Sequence, residues 1–339
     1  MDLRERDLPS LRQLEQFLVL GEELHFGRAA QRLGMHQAPL SQAIQKLEVE
    51  LRLQLFERSH RYVALTPAGA ALLPEARSLV EGVEAFAERA RRLADGAVGA
   101  ISVGFVSTAI YSVLPALLLA FRERYPEVEL RLREATTDVQ IELLLRGEID
   151  VGLLIEGTDA AIRGISTQPV RTDRLIAAVP ASWDAGRYRA SQRNGADLAI
   201  LAREELISVP RHIGPALFDA VLASFETRGI EPRFGQEGIQ MQTILGLVGA
   251  GLGYAIVPES MRTLARSDVR YLEIAGETSA VVLSVGWRLR DPNPIVQNFV
   301  QLARSLQEAD SESKRDPSPT GRNRIERRSG PDGSISTSK

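Results

Sequence analysis

Residues 27–51 read GRAAQRLGMHQAPLSQAIQKLEVEL, and this stretch decides the architecture around it. An Ala-rich helical run covers Arg28 to Leu33 and stops at Gly34. A second run over 38–51 starts almost at once, with Pro39 tolerated because it lies in the first turn. Two short helices joined by a tight, Gly-containing turn form a helix-turn-helix. The second helix has two unlike faces. Leu40, Ile44, Leu47 and Leu51 line the side that packs inward. Ala38, Ser41, Gln42 and Gln45 occupy the other, where long charged side chains would be usual. Small and amide side chains suit base edges: Gln pairs with adenine, Ser serves donor or acceptor edges, and Ala meets a thymine methyl. Long cations would instead hold phosphate without reading sequence. The break therefore lays one helix across a groove so that the next can enter it. A plain three-helix bundle with a solvated face fits the same spacing.

Working outward, Ser10 and Gln13 form a capping-box pattern that opens a helix with Leu11, Leu14, Phe17 and Leu18 on one side. After the second helix of the motif comes LFERSHRYVALTPAG, with strand-like Tyr62, Val63 and Leu65. Arg58 and Arg61 flank its short turn and predict a wing that holds the phosphate backbone or the minor groove. Six cations and three anions between residues 28 and 61 leave a modest local charge of +3. Thr66-Pro67 starts a further helix. In it Leu72, Ala76, Leu79, Val83, Phe86, Ala90 and Leu93 alternate steps of four and three, a narrow heptad seam that predicts pairing with another helix. ADGAVGA, at 94–100, then reads as a hinge.

From residue 101 the pattern changes to short apolar strands alternating with helical segments, which implies an α/β architecture. Residues 310–339 hold almost nothing apolar and predict a disordered tail, whose GRNRIERR segment carries charge that could touch phosphate. The whole chain has a net charge of −3, which argues against nucleic-acid binding by the entire surface but not by a local patch. There is no Cys, so disulfides, a thiol nucleophile and Cys-ligated zinc are excluded. MDLRERDLPS has no apolar run of the signal-peptide kind and no stretch is long enough to span a bilayer, so a cytoplasmic location without membrane contact is expected.

An enzyme with an accessory helical domain and a solute-binding protein are the competing classes. GLVGAGLGYA does not fit a dinucleotide fingerprint, and neither a Walker A sequence nor a serine elbow is present. His25, His36, His60 and His212 are not spaced as ligands. No catalytic residue, cofactor or metal is expected. The N-terminal domain argues against a transporter's solute-binding protein.

At this point the residues resemble a known family, the LysR-type transcriptional regulators. The resemblance runs over roughly residues 9–307. It rests on Ala29-Ala30, Leu33, Gln37, Ala38-Pro39, Ser41, Ile44, Leu47-Glu48, Leu55-Phe56 with Arg58, and Leu65-Thr66 with Ala68-Gly69. LLRGEIDVGLL and LGLVGAGLGYAIVP extend it into the second half. Two departures stand out: the family commonly has Gly where Arg52 stands, and often Arg where Gln42 stands.

The resemblance implies an α/β protein with an all-α N-terminal part: a winged helix-turn-helix over 1–66, a linker dimerisation helix over 67–94 and a hinge over 95–100. A two-lobed, periplasmic-binding-protein-like effector domain would follow over 101–308. Lobe I would hold 101–170 and 273–308, lobe II 171–272, and 309–339 would be the tail. Gln37, Ala38, Pro39, Ser41, Gln42, Gln45, Arg58 and Arg61 are the expected contacts to double-stranded DNA. By position, the family's ligand loops fall on Ser107, Thr108, Thr136, Thr137, Pro210, Arg211, His212 and Gln242. A carboxylate coinducer follows, with Arg211 and His212 supplying positive charge. A homotetramer or dimer and contact with RNA polymerase are implied as well.

Overall fold

The computed structural model describes residues 8–58, 62–157, 162–188 and 195–315. The chain divides into two compact units, Met1–Asp95 and Gly96–Lys339.

The N-terminal unit is a three-helix motif, a two-stranded wing and a long helix. Helix α1 (Leu11–Glu23) begins with the capping box: Ser10 Oγ accepts from the Gln13 amide N–H, and the Ser10 N–H donates to Gln13 Oε1. Helix α2 (Phe26–Arg32) starts two residues earlier than its periodicity suggests, because His25 Nδ1 caps the Arg28 N–H. It ends as expected. Gly34 sits at φ 64°, and the Met35 N–H returns to the Ala30 carbonyl, closing a turn that a side chain at 34 would strain. Helix α3 (Gln37–Leu51) follows at once. Strands β1 (Phe56–Arg58) and β2 (Val63–Leu65) pair antiparallel as the wing. Leu40, Ile44 and Leu47 are fully buried with Phe17, Leu20, Leu55 and Phe56.

Helix α4 (Pro67–Ala94) is capped by Thr66, whose Oγ1 accepts from Gly69 N–H and donates to the Gln54 carbonyl. Its heptad seam has two fates. Leu72 and Ala76 pack into the core of the unit, whereas Leu79, Val83, Phe86 and Leu93 face outward, with Phe86 74% exposed.

The second unit is α/β. Parallel strands β3 (Val98–Phe105), β4 (Glu127–Glu134) and β5 (Val151–Glu156) carry α5 (Ser107–Ile110), α6 (Leu114–Arg124) and α7 (Thr137–Arg146). Then β6 (Ile165–Pro180) runs out of this lobe into a second one. That lobe is built from α8 (Leu198–Leu201), β7 (Glu205–Ser208), α9 (Pro215–Glu226), β8 (Arg233–Glu237), α10 (Met241–Gly249), β9 (Ala255–Pro258) and β10 (Val269–Leu272). Strand β11 (Ala280–Arg288) returns between β5 and β6, and α11 (Pro294–Arg315) closes the first lobe. Each lobe has its own core, one around Val103, Phe121, Val151 and Phe299, the other around Ile176, Phe225, Leu245 and Tyr254.

Three expected boundaries move. Residues 273–281 belong with the second lobe, because Ile274 and Val281 lie in its core and Ala196 N–H donates to the Glu273 carbonyl. The crossings fall inside β6, between Val170 and Leu175, and inside β11, between Val281 and Leu283, next to a register shift in their ladder. A strand boundary is visible in sequence, but the point where a strand changes core is not. The hinge at 95–100 shrinks to 95–97, because β3 already begins at Val98. Gly96 serves close packing there: a Cβ on it would lie 2.8 Å from the Ile295 backbone nitrogen. Finally, α11 continues past 308 to Arg315. Low apolar content removes the drive to bury a segment, but not the cheap propagation of a helix already anchored by Val296 and Phe299. The rest of the expected tail, including GRNRIERR, lies outside the described residues.

Candidate functional site

Two sites emerge, one in each unit. In the first, α3 presents Gln37, Ala38, Pro39, Gln42 and Gln45 to solvent, with Ser41 half-buried among them. All the expected helix residues therefore share one face. The charged residues behave differently. Glu48 Oε1 accepts from the Leu55 and Phe56 N–H groups, and its Oε2 pairs with Arg58 at 2.6 Å. The Arg58 guanidinium also lies 5.4 Å from the centre of the Phe26 ring. Arg58 thus ties the wing to α3 and α2. Its carboxylate partner lies one turn and a loop away in sequence. Arg61 lies outside the described residues.

Most other cations of the local patch are paired too. Arg28 bonds Glu23, Arg32 bonds Glu22 and Glu23, and Lys46 lies 3.7 Å from Glu50. Glu22 joins Arg32 and Arg77 at 2.7 Å each, and these bonds, Arg77 first, hold its carboxyl below the usual carboxylate range. Arg52, where the family commonly has Gly, lies outside the expected DNA contacts. It caps α3 at φ 50°, is exposed, and has no ion pair among the described residues.

The second site is a cavity of about 630 Å³ between the two lobes of the C-terminal unit. It lies at the carboxyl ends of adjacent parallel strands, where a crevice opens in α/β sheets. Ser107 and Thr108 follow β3, Thr136 and Thr137 follow β4, and all four line the cavity. Ser107 and Thr108 are only 8% and 7% exposed, and no protein group among the described residues bonds their hydroxyls. Thr136 is the N-cap of α7 but its side chain makes no capping bond. Thr137 Oγ1 accepts from the Ile155 N–H at 3.2 Å.

The other four expected ligand residues are not in the lining. The Pro210 carbonyl accepts from the Ile213 and Gly214 N–H groups, a tight turn that aims Ile213 and Gly214 at the cavity and Arg211 and His212 away from it. Arg211 pairs with Asp219 at 2.9 Å and rests over Phe218. Gln242 donates to the Tyr111 hydroxyl at 2.6 Å, a bond from one lobe to the other, while its neighbours Gln240 and Met241 reach the cavity. The positive charge expected from Arg211 and His212 is therefore not in the cleft. The sequence reading also missed the lining carboxylates Asp138, Glu156, Asp219 and Glu226. The position of Glu156 at the end of an apolar strand was the signal available for it. No group of His, Asp and Glu that could hold a metal occurs among the described residues.

Two family models match the chain: the bacterial regulatory helix-turn-helix protein, lysR family, over residues 11–70, and the LysR substrate binding domain over residues 94–308. The chain belongs to the LysR family. It is 41% identical to the HTH-type transcriptional regulator IlvR of Caulobacter vibrioides, over 86% of this chain and 96% of that one. It is 32% identical to the regulator AlsR of Bacillus subtilis, over 89% and 98%. Full-length CbnR, solved in complex with its target DNA, is 33% identical, with a TM-score of 0.71 over 88% of this chain and 99% of that one. CbnR alone, described as a LysR family transcriptional regulator, gives a TM-score of 0.74 at 34% identity, over 87% and 100%. LysR membership makes the chain a DNA-binding transcriptional regulator and not an enzyme. No helix among its described residues is long and apolar enough to cross a membrane.

Proposed function

We propose that this LysR-family regulator is a cytoplasmic, ligand-responsive switch, activator or repressor, that reads an operator through α3 and senses a small molecule in the interlobe cleft. One observation supports the sensing half: Ser107 and Thr108, buried residues whose hydroxyls bond no protein group among the described residues, line a large cavity. A hydroxyl open to a cavity donates to a ligand with an anionic or accepting end. The organic acid expected from the sequence keeps that anchor but loses its cationic support, since Arg211 and His212 lie elsewhere. A ligand that prefers one arrangement of the two lobes shifts the equilibrium between them, and the shift reaches DNA through the assembled subunits and then RNA polymerase. The outward apolar run Leu79, Val83, Phe86 and Leu93 supports assembly into a dimer or a tetramer.

The readout residues are Gln37, Ala38, Pro39, Ser41, Gln42 and Gln45, which share one exposed or half-exposed face. The test is protection of DNA upstream of the protein's own coding region, at a stated moderate salt, against unrelated competitor DNA. A protected site with dyad symmetry, lost in a Ser41→Ala, Gln45→Ala double variant that keeps its fold, is the expected result. Unchanged protection by the variant refutes the assignment of these residues. No preference over competitor refutes the operator reading itself.

A further inference from the structure

We infer that the cleft takes an aliphatic zwitterion, a molecule with a protonated amine beside its acceptor end, in place of a plain organic acid. The inference rests on the effector-cleft reading above. Four carboxylates line the cavity and, among the described residues, no Lys, Arg or His does. Asp219 is neutralised by Arg211, and Asp138 sits in the first turn of α7, where a helix dipole accounts for it. Glu226, at the end of α9, is exposed, and Glu156 has no such account. It ends β5, is half-buried, opposes Val282 in the ladder, and makes no ion pair or hydrogen bond among the described residues.

The hydroxyls are the second, independent observation. Ser107 and Thr108 are more than nine-tenths buried, line the same cavity, and lack a protein partner. They and Glu156 line the same cavity. Strands β3 and β5 are adjacent and parallel, with Phe105 opposite Leu153, and the Val106 N–H donates to the Leu153 carbonyl. Ser107 and Glu156 lie two and three residues beyond that pair, at the carboxyl ends of neighbouring strands, and both line the cavity. One small molecule in that cavity meets both. Its carboxylate meets the hydroxyls and the uncapped start of α7, and its ammonium meets Glu156. A plain carboxylate anchored at the same hydroxyls faces the like charge of Glu156, and no Lys, Arg or His among the described lining residues offsets it. The remaining wall is aliphatic, with Val106, Ile141, Ile155, Ile213, Leu217 and Met241, and the lining holds no aromatic ring. That favours an alkyl body.

The experiment is isothermal titration of the full-length protein with three probes of one skeleton, L-leucine, 4-methylpentanoate and 3-methylbutylamine, alongside a panel of aliphatic and aromatic acids. L-leucine is expected to bind at least about tenfold more tightly than 4-methylpentanoate, and Glu156→Gln to shrink that gap to about threefold or less. Ser107→Ala is expected to weaken both ligands and leave their ratio unchanged, which a merely misfolded variant would not do. If any acid matches or exceeds L-leucine and loses affinity in Ser107→Ala, the inference is overturned and the cleft reading stands. An undiminished preference for L-leucine in Glu156→Gln also overturns it. If no probe and no acid binds while specific DNA binding persists, both fall.

Discussion

Arg52 closes the recognition helix at φ 50° and ψ 37°, a left-handed conformation that an L side chain resists. A residue with a Cβ costs about 1–2 kcal/mol there. Glycine escapes that cost but gives up more chain freedom on folding, about 0.5–1 kcal/mol. Arg52→Gly is therefore expected to stabilise the N-terminal unit by about 0.5–1 kcal/mol, the difference between the two effects. For a unit of 95 residues the midpoint of its transition rises by roughly 2–8 °C. Arg52→Ala is the control: it keeps the strained backbone and removes only the guanidinium. Calorimetry of the full-length protein resolves the two, with Arg52→Gly above wild type and Arg52→Ala at or below it. The same variants test the charge. Arg52 has no ion pair among the described residues, so both losses should lower the slope of log affinity against log salt by about 0.9, the value for one phosphate contact. A midpoint for Arg52→Gly no higher than that of Arg52→Ala refutes the strain argument. An unchanged salt slope refutes the contact.

Three further outcomes are expected. Phe86→Glu puts a charge in the outward seam of α4, where the ring is 74% exposed in a single chain, so folding should survive while sedimentation shows a smaller assembly; an unchanged assembly means the seam pairs with nothing. Glu48→Ala strips the Leu55 and Phe56 N–H groups and Arg58 of their acceptor, and should cost about 2–3 kcal/mol in denaturant unfolding of the N-terminal unit; a loss below about 0.5 kcal/mol contradicts the anchoring role. Tyr111→Phe removes the acceptor for Gln242 while keeping the ring, and should destabilise the unliganded C-terminal unit by about 0.5–1.5 kcal/mol in thermal melts. An unchanged melting point would mean the interlobe bond is replaced by water at no cost.

The misreadings share a cause. Arg211 and His212 precede a helix, in a loop that the family resemblance places at the ligand. The turn built on the Pro210 carbonyl rotates them outward, and Ile213 takes their place. Arg58 stands beside a turn, and its pairing with Glu48, ten residues away, is not legible in that local setting. Glu156 went unnoticed because an acidic residue ending a strand ordinarily points to water. What makes it unusual is the opposite lobe, which shuts it into a cavity.

The sequence by itself determined the local decisions. Capping residues fixed the starts of α1 and α4, Gly34 ended α2, and the spacing of Leu40, Ile44 and Leu47 set which side of α3 is buried. These rest on interactions between residues a few positions apart, so they are written in the order of the chain. Only the tertiary structure decided where β6 and β11 change core, which cations are already paired, and what lines the cleft. Those depend on groups brought together from distant positions: Glu156 and Ser107 line one cavity because β3 and β5 are neighbours in a sheet, and α9 joins that lining because two strands carry the chain out to a second lobe and back. Charge and burial are properties of that shared surrounding, and no stretch of sequence contains both halves of it.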